Sequence, residues 1–171
     1  MPLRIIIAGL FMLASPAESV EIGDLPPDYL GQSSKNREIR LSEGSGRIRI
    51  VTFWASWCGP CLKELPVLNA IQKQGGSDRI QVVAINLKEP RKHYRKVLRK
   101  MKDYEIDFVH DERGSVARKY DVEGIPHMLI INVDGRVAYQ HIGYTEAAIP
   151  TIVEEINQLL IDNNLVSQPA P

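Results

Sequence analysis

Cysteine is nearly absent from this chain: 171 residues contain two, Cys58 and Cys61. With no third or fourth cysteine there is no disulfide framework to staple a small fold, so the chain must fold by burying a core. Its length is one domain's worth and sufficient for that. A structural zinc centre is also poorly served. The remaining nitrogen ligands are His93, His110, His127 and His141, and no two of them show H-x3-5-H spacing. Charge of one sign is lacking too: 21 basic residues balance 21 acidic ones. That balance argues against nucleic acid as a general partner, and the sparse aromatics show no stacking pattern. No internal repeat and no glycine-rich phosphate loop is present. No apolar run approaches the roughly 20 residues that span a bilayer. The longest, Ile5 to Ala14, follows Arg4 and precedes Ser15-Pro16-Ala17. This is the pattern of a secretory signal peptide over residues 1–17, with an uncleaved anchor as the alternative.

What the chain does have is concentrated in Thr52-Phe53-Trp54-Ala55-Ser56-Trp57-Cys58-Gly59-Pro60-Cys61. A β-type run ends just before the cysteines and a helical pattern begins at them. C-x-x-C at a strand-to-helix turn reads as a dithiol/disulfide redox pair. Pro60 suits a first helical turn, where its missing N–H is not needed. Cys58 then sits at the helix N-terminus, where free N–H groups and the helix dipole favour thiolate over thiol. A purely structural disulfide is a weak alternative, because closing so small a loop removes little chain entropy. A copper-handling module using Cys58, Cys61 and His127 is another. The exchange chemistry itself asks for no cofactor and no metal.

The organisation along the chain follows from periodicity. The segment 18–165 reads as one domain and 166–171 as a loose tail. Pro26-Pro27 favours an extended entry, and Glu38 to Glu43 fits a short edge strand. Ile48 to Ala55 and Ile80 to Leu87 read as central strands; Val82 to Ile85 is continuously apolar, as in a strand covered on both faces. Cys61 to Gln74 reads as a helix burying Leu65, Leu68 and Ile71, kinked at Pro66 and ended by Gly75-Gly76. Arg91 to Tyr104 reads as a helix with a core stripe of Tyr94, Val97, Leu98 and Met101. Its other faces carry Arg91, Lys92, Arg95, Lys96, Arg99, Lys100 and Lys102, so the helix over 91–102 is either a solvated face or a docking patch for an acidic partner or anionic membrane. Ile106 to Val109 is a short strand, and Gly114 to Tyr120 a helix. Met128 to Asn132 and Val137 to Ile142 form a hairpin across Asp134-Gly135. Thr145 is a candidate N-cap for a last helix carrying Ile149, Ile152 and Ile156 on its buried face.

Trp57-Cys58-Gly59-Pro60-Cys61 after Phe53-Trp54-Ala55 resembles the thioredoxin superfamily. Gly23 to Asp28, Glu64-Leu65-Pro66, Val82 to Asn86, Asp111 to Gly114, Gly124-Ile125-Pro126 and Ile130 to Arg136 resemble its TlpA/ResA/DsbE branch of extracytoplasmic thiol-disulfide oxidoreductases. The resemblance implies an α/β thioredoxin-like fold: a mixed central sheet flanked by helices, with an N-terminal hairpin and a βα insert before a cis-proline at Pro126. It implies a redox-active Cys58–Cys61 disulfide, substrate pairing at the backbone of Ile125, and a site shaped by Trp57, Gly59 and Pro60. Thr52 stands where such proteins typically carry a buried Asp, six residues before Cys58. Glu64 matches an active-site glutamate of the branch, though a solvated helix glutamate is the alternative. His127 either tunes the thiolate or is a strand histidine with a satisfied hydrogen bond. Gly59-Pro60 and Ile125 are similar to the reducing members. The expected function is reduction of protein disulfides in the periplasm or another extracytoplasmic space. The partners implied are an oxidised apocytochrome c or a copper-assembly protein as substrate, and a membrane dithiol as electron donor. Oxidase or isomerase activity is the alternative direction.

Overall fold

The computed structural model describes residues 19–43 and 46–166. The signal peptide expected over 1–17 and most of the expected tail lie outside the described residues. Among the described residues, no helix is long and apolar enough to cross a membrane.

The described residues form seven strands and four α-helices. β1 (Tyr29–Gln32) and β2 (Glu38–Arg40) form a small antiparallel hairpin. β3 (Ile48–Trp54), β4 (Ile80–Leu87), β5 (Asp107–Asp111), β6 (His127–Ile131) and β7 (Val137–Ile142) form the main sheet in the order β5-β4-β3-β6-β7. β3 runs parallel to β4, and β4 to β5; β6 is antiparallel to both β3 and β7. The sheet is therefore mixed, and β3 is its central strand. All seven residues of β3 are buried, which is why the sequence shows β-branched and aromatic residues there without a clean polar alternation.

The two faces of the sheet build two cores. Ile50, Trp54, Ala84, Met128 and Ile130 pack with Cys58, Cys61, Leu65, Ile152 and Ile156 from the helices α1 (Gly59–Gly75) and α4 (Ile149–Asp162). Val51, Phe53, Val83, Ile85 and Leu129 pack on the opposite face with Leu30, Ile39 and Tyr120. Fully burying one such large apolar side chain contributes about 1.5–3 kcal/mol, so the sheet faces dominate the folding energy.

The hairpin β1–β2 leans on the edge strand β5 through a bridge between Ser33 and Val109. Gly31 makes that approach possible. Its φ is +116°, and a Cβ there would meet Val109 Cγ1 at 2.5 Å. β1 is not evident from periodicity, because its four residues alternate too briefly; tertiary docking supplies what local pattern lacks.

Three elements differ from the sequence expectation. The helix expected over Arg91 to Tyr104 is α2 (Arg91–Leu98), followed by a 3₁₀ turn, Arg99–Met101. Like charges at i and i+4 that a longer helix would stack, Arg95/Arg99 and Lys96/Lys100, oppose its continuation, and no side chain caps it. α1 begins at Gly59, two residues early, and runs unbroken through Pro66. Thr145 makes no capping bond; a 3₁₀ turn over Glu146–Ala148 follows it, and α4 starts at Ile149 with Pro150 in its first turn, where proline's absent N–H costs nothing. The remaining helix, α3 (Ser115–Lys119), is held by Asp111, whose carboxylate accepts from the N–H groups of Ser115, Val116 and Ala117 at 2.8–3.0 Å.

Candidate active site

Cys58 is the residue at which β-structure becomes helix. Its backbone is extended (φ −87°, ψ 101°), and its sulfur accepts a hydrogen bond from the Cys61 N–H at 3.2 Å. It is bonded to Cys61 with Cα atoms 5.3 Å apart. Cys61 is fully buried while Cys58 keeps a small exposure, 5 %. The attacking position is thus open to a partner's sulfur and the resolving one is not. In the reduced protein the Cys61 N–H, and the dipole of the 17-residue α1, stabilise negative charge on Cys58 Sγ.

Around this pair the structure assembles residues from four segments. Cys58 Sγ lies 3.9 Å from the Ile125 carbonyl oxygen, and the Ile125–Pro126 peptide is cis. Trp57 is 71 % exposed, so it stands as a solvent-facing aromatic platform beside Cys58 rather than a lid over it. Gly59 and Pro60 line a shallow groove with Lys63, Tyr144, Thr145 and Glu146, and Lys63 bridges Glu146 at 3.6 Å. Tyr144 was not evident from the sequence; burial raises its phenol pKa, and the carboxylates of Glu146 and, less, Glu64 add to that rise.

Glu64 lies one helical turn beyond Cys61 and is 2 % exposed. It is not a solvated helix glutamate. Among the described residues its one hydrogen-bonding side chain is Thr52, whose Oγ1 donates to Oε2 at 2.7 Å across the interface of α1 and β3. Burial disfavours the charged carboxylate and pushes its pKa up to about 7, with the Thr52 bond opposing in part. Thr52 cannot move a proton itself, but it orients the acid that can.

Glu89 is the acid that sequence reading missed. It follows β4 and is 2 % exposed. Its carboxylate accepts from the Ser56 N–H at 2.8 Å, from the Ser56 hydroxyl, and from Asn86 Nδ2 at 2.6 Å. Burial raises its pKa, but the Asn86 and Ser56 bonds, with the charge of His93 adding to them, outweigh burial and hold it below the usual carboxylate range. The bond spans 33 positions of sequence, which no local pattern reveals. It fastens the turn two residues ahead of Cys58 to the end of β4.

His127 does not join the site. It pairs in register with Phe53 and meets that ring edge-on at a centroid distance of 6.2 Å. Strand parity puts both on the sheet face opposite the core that contains the cysteines. The ring is buried, Gln140 Nε2 donates to its Nε2 at 2.8 Å, and burial lowers its pKa. This is a neutral strand histidine. The grouping of Cys58, Cys61 and His127 as copper ligands loses its geometric basis, and among the described residues no group of three or more His, Cys, Asp and Glu is placed to hold a metal ion.

Comparison with known proteins agrees with the site. A thioredoxin-like family profile matches residues 46–137, more than half of the chain. The thiol-disulfide oxidoreductase ResA of Bacillus subtilis is 32 % identical over 122 residues, which are 70 % of this chain and 66 % of the relative. The chain thus spans about two thirds of the length of that relative. Among solved structures, a DsbE-type thiol:disulfide interchange protein from Chlorobium tepidum superposes with a TM-score of 0.73 at 30 % identity, covering 83 % of this chain and 99 % of the other. StoA from Bacillus subtilis gives 0.61 at 25 % identity, covering 77 % and 98 %. The cysteine pair at the head of α1, the mixed sheet behind it and these matches together establish that the chain belongs to the thioredoxin-like family, among the thiol-disulfide oxidoreductases of the TlpA/ResA/DsbE type.

Proposed function

We propose that this protein reduces disulfides of partner proteins outside the cytoplasm, through Cys58 and Cys61. The observation that carries the reading is a redox disulfide at a helix N-terminus with a buried carboxyl, poised near neutral pH, one turn further along the same helix. In the reduced protein the Cys58 thiolate attacks one sulfur of the substrate disulfide. A mixed disulfide forms, and the first substrate sulfur leaves as thiolate. Cys61 gives its proton to Glu64 and attacks Cys58 Sγ. The Cys58–Cys61 disulfide forms, and the second substrate sulfur leaves and is protonated. Two electrons pass from the dithiol to the substrate. A membrane dithiol carrier returns them, because glutathione and cytosolic thioredoxin do not reach this compartment.

Trp57 and the Ile125 carbonyl supply the surface on which the substrate strand lies, and Gly59-Pro60 keeps the turn close to it. The basic and apolar segment at residues 4–14, followed by Ser15-Pro16-Ala17, supports export. Gly59-Pro60 and Ile125 support the reducing direction. The substrates that fit are an oxidised apocytochrome c with its C-x-x-C-H haem site, or a copper-site assembly protein.

The test is the equilibrium reduction potential of the purified protein against dithiothreitol and glutathione. A value below about −220 mV is expected for a reductant, and one near −120 mV reverses the direction to oxidase.

A further inference from the structure

We infer that α2 and the turn after it form a docking surface for an acidic segment of the redox partner, beside the disulfide that the partner presents to Cys58. This deepens the reductase reading and rests on it.

Charge is the first observation. Residues 91–102 carry seven Lys or Arg and no Asp or Glu, so the rest of the chain holds 14 basic and 21 acidic residues, a net −7. A protein of zero net charge has thus gathered +7 on one short segment. All seven side chains are exposed, and none forms an ion pair among the described residues. Glu112 is the one acid that shares a groove with Arg91 and Arg95, and it bridges neither. Seven like charges held together without counter-charges raise the local potential and steer an anionic partner.

Position is the second. Pro90 and Arg91 follow Glu89, whose carboxylate holds the Ser56 backbone two residues before Cys58. Chain geometry then limits the distance from Arg91 to Cys58 to roughly 25 Å, about seven extended residues of a bound segment. The charge is fixed in place with respect to the reacting sulfur, not carried on a free arm. Trp54, in the strand that leads to the cysteines, packs against Tyr94 of α2 at a ring-centroid distance of 6.3 Å.

The apolar face decides between a protein and a lipid surface. Interfacial membrane helices bury an apolar face in the headgroup region. Here Tyr94, Val97, Leu98 and Met101 are already packed against the first core. What is left outward is the seven charges and His93, with no large apolar side chain, and the −7 remainder of the molecule would be repelled by an anionic bilayer.

The experiment uses the reduced purified protein and two disulfide-bonded peptides. They differ only in flanking residues, four glutamates in one and four glutamines in the other. Single-turnover oxidation of the protein is followed by tryptophan fluorescence. At about 20 mM salt the acidic peptide is expected to react at least tenfold faster, and the advantage to collapse at about 0.5 M, where the Debye length falls to a few ångströms. In the variant Lys92→Glu/Arg95→Glu/Lys96→Glu/Arg99→Glu the acidic-to-neutral rate ratio is expected to fall to one or below. Lys119→Glu/Arg136→Glu, which changes exposed charge outside the grooves lined by α2, is expected to keep the ratio. An acidic-to-neutral ratio near one in the unaltered protein, with both peptides reduced, overturns the docking surface and leaves the reductase reading standing. Failure to reduce either peptide overturns both. Co-sedimentation with phosphatidylglycerol vesicles that is lost in the four-residue variant, without any peptide preference, overturns it in favour of a lipid surface.

Discussion

Glu64 and Glu89 make an instructive pair. Both are 2 % exposed, both flank the cysteine turn, and each accepts a hydrogen bond from a hydroxyl. Their proton affinities nevertheless move in opposite directions. Glu64 has Thr52 alone, and burial wins, carrying its pKa up to about 7. Glu89 has three donors on two residues, and they win over burial. Glu64 also lies deeper beneath the surface than Glu89, so depth of burial and the number of donors aimed at the carboxylate together decide in which direction its proton affinity moves. The site holds one of each: Glu64, which we propose exchanges protons with Cys61, and Glu89, whose carboxylate holds the Ser56 turn.

The largest effect tests what both acids serve. Cys58→Ser is expected to reduce exchange to background, since no mixed disulfide can form, and peptide-disulfide turnover checks it. Turnover that persists would leave neither acid with a role.

Glu64→Gln comes next. It is expected to slow exchange by about 10²-fold at pH 7 and to erase the inflection near pH 7 in the rate profile. Stability supplies a second readout. The folded pKa of about 7 exceeds the ordinary glutamate value of 4.5. The carboxyl's contribution is therefore fully present below pH 4.5 and is lost as pH rises through 7, by on the order of 3 kcal/mol. Urea unfolding of the oxidised protein at pH 5 and pH 8 should show that loss, and the Gln variant should not.

Glu89→Gln sharpens the contrast from the other side. Its amide turns an N–H toward groups that themselves donate, so a cost of about 2–3 kcal/mol in unfolding free energy at pH 7 is expected. The rate inflection near pH 7 should remain. Because this folded pKa is depressed, the stabilisation is present above the unfolded carboxylate value and is lost as pH falls below that value and through the lower folded pKa, so wild type and variant should converge at low pH. A variant that instead shifted the rate inflection would erase the distinction between the two acids.

The smallest effect is expected from Thr52→Val. It removes the one donor that lowers the Glu64 pKa, and should move the inflection upward by less than about one pH unit.

Most of the architecture was legible because its signals are local. The buried run of Val82 to Ile85, the Asp134-Gly135 turn and the C-x-x-C at a strand end are all short-range patterns, and the strand Ile80–Leu87 falls where periodicity puts it. β1 was not legible, because four residues docked on an edge strand need only Gly31 and a neighbour to pack on. The end of α2 was misjudged because a continuous apolar stripe hid the repulsion among its exposed charges.

At the site the division falls elsewhere. Sequence alone determined which atoms can react: two sulfurs at a strand-to-helix turn, a proline ahead of β6, and a carboxyl one helical turn past the second sulfur. Only the tertiary structure decided what state those groups are in. Glu64 holds a proton near neutrality because β3 closes over α1 and leaves it one hydroxyl. Glu89 becomes a catalytic-turn brace because the chain returns after 33 residues to meet Ser56. His127 is taken out of the chemistry by strand parity, a property of its pairing with Phe53 rather than of its place after Pro126. Identity is carried by the chain, but desolvation and donor count are properties of segments distant in sequence brought together, and they set the charge on which exchange chemistry depends.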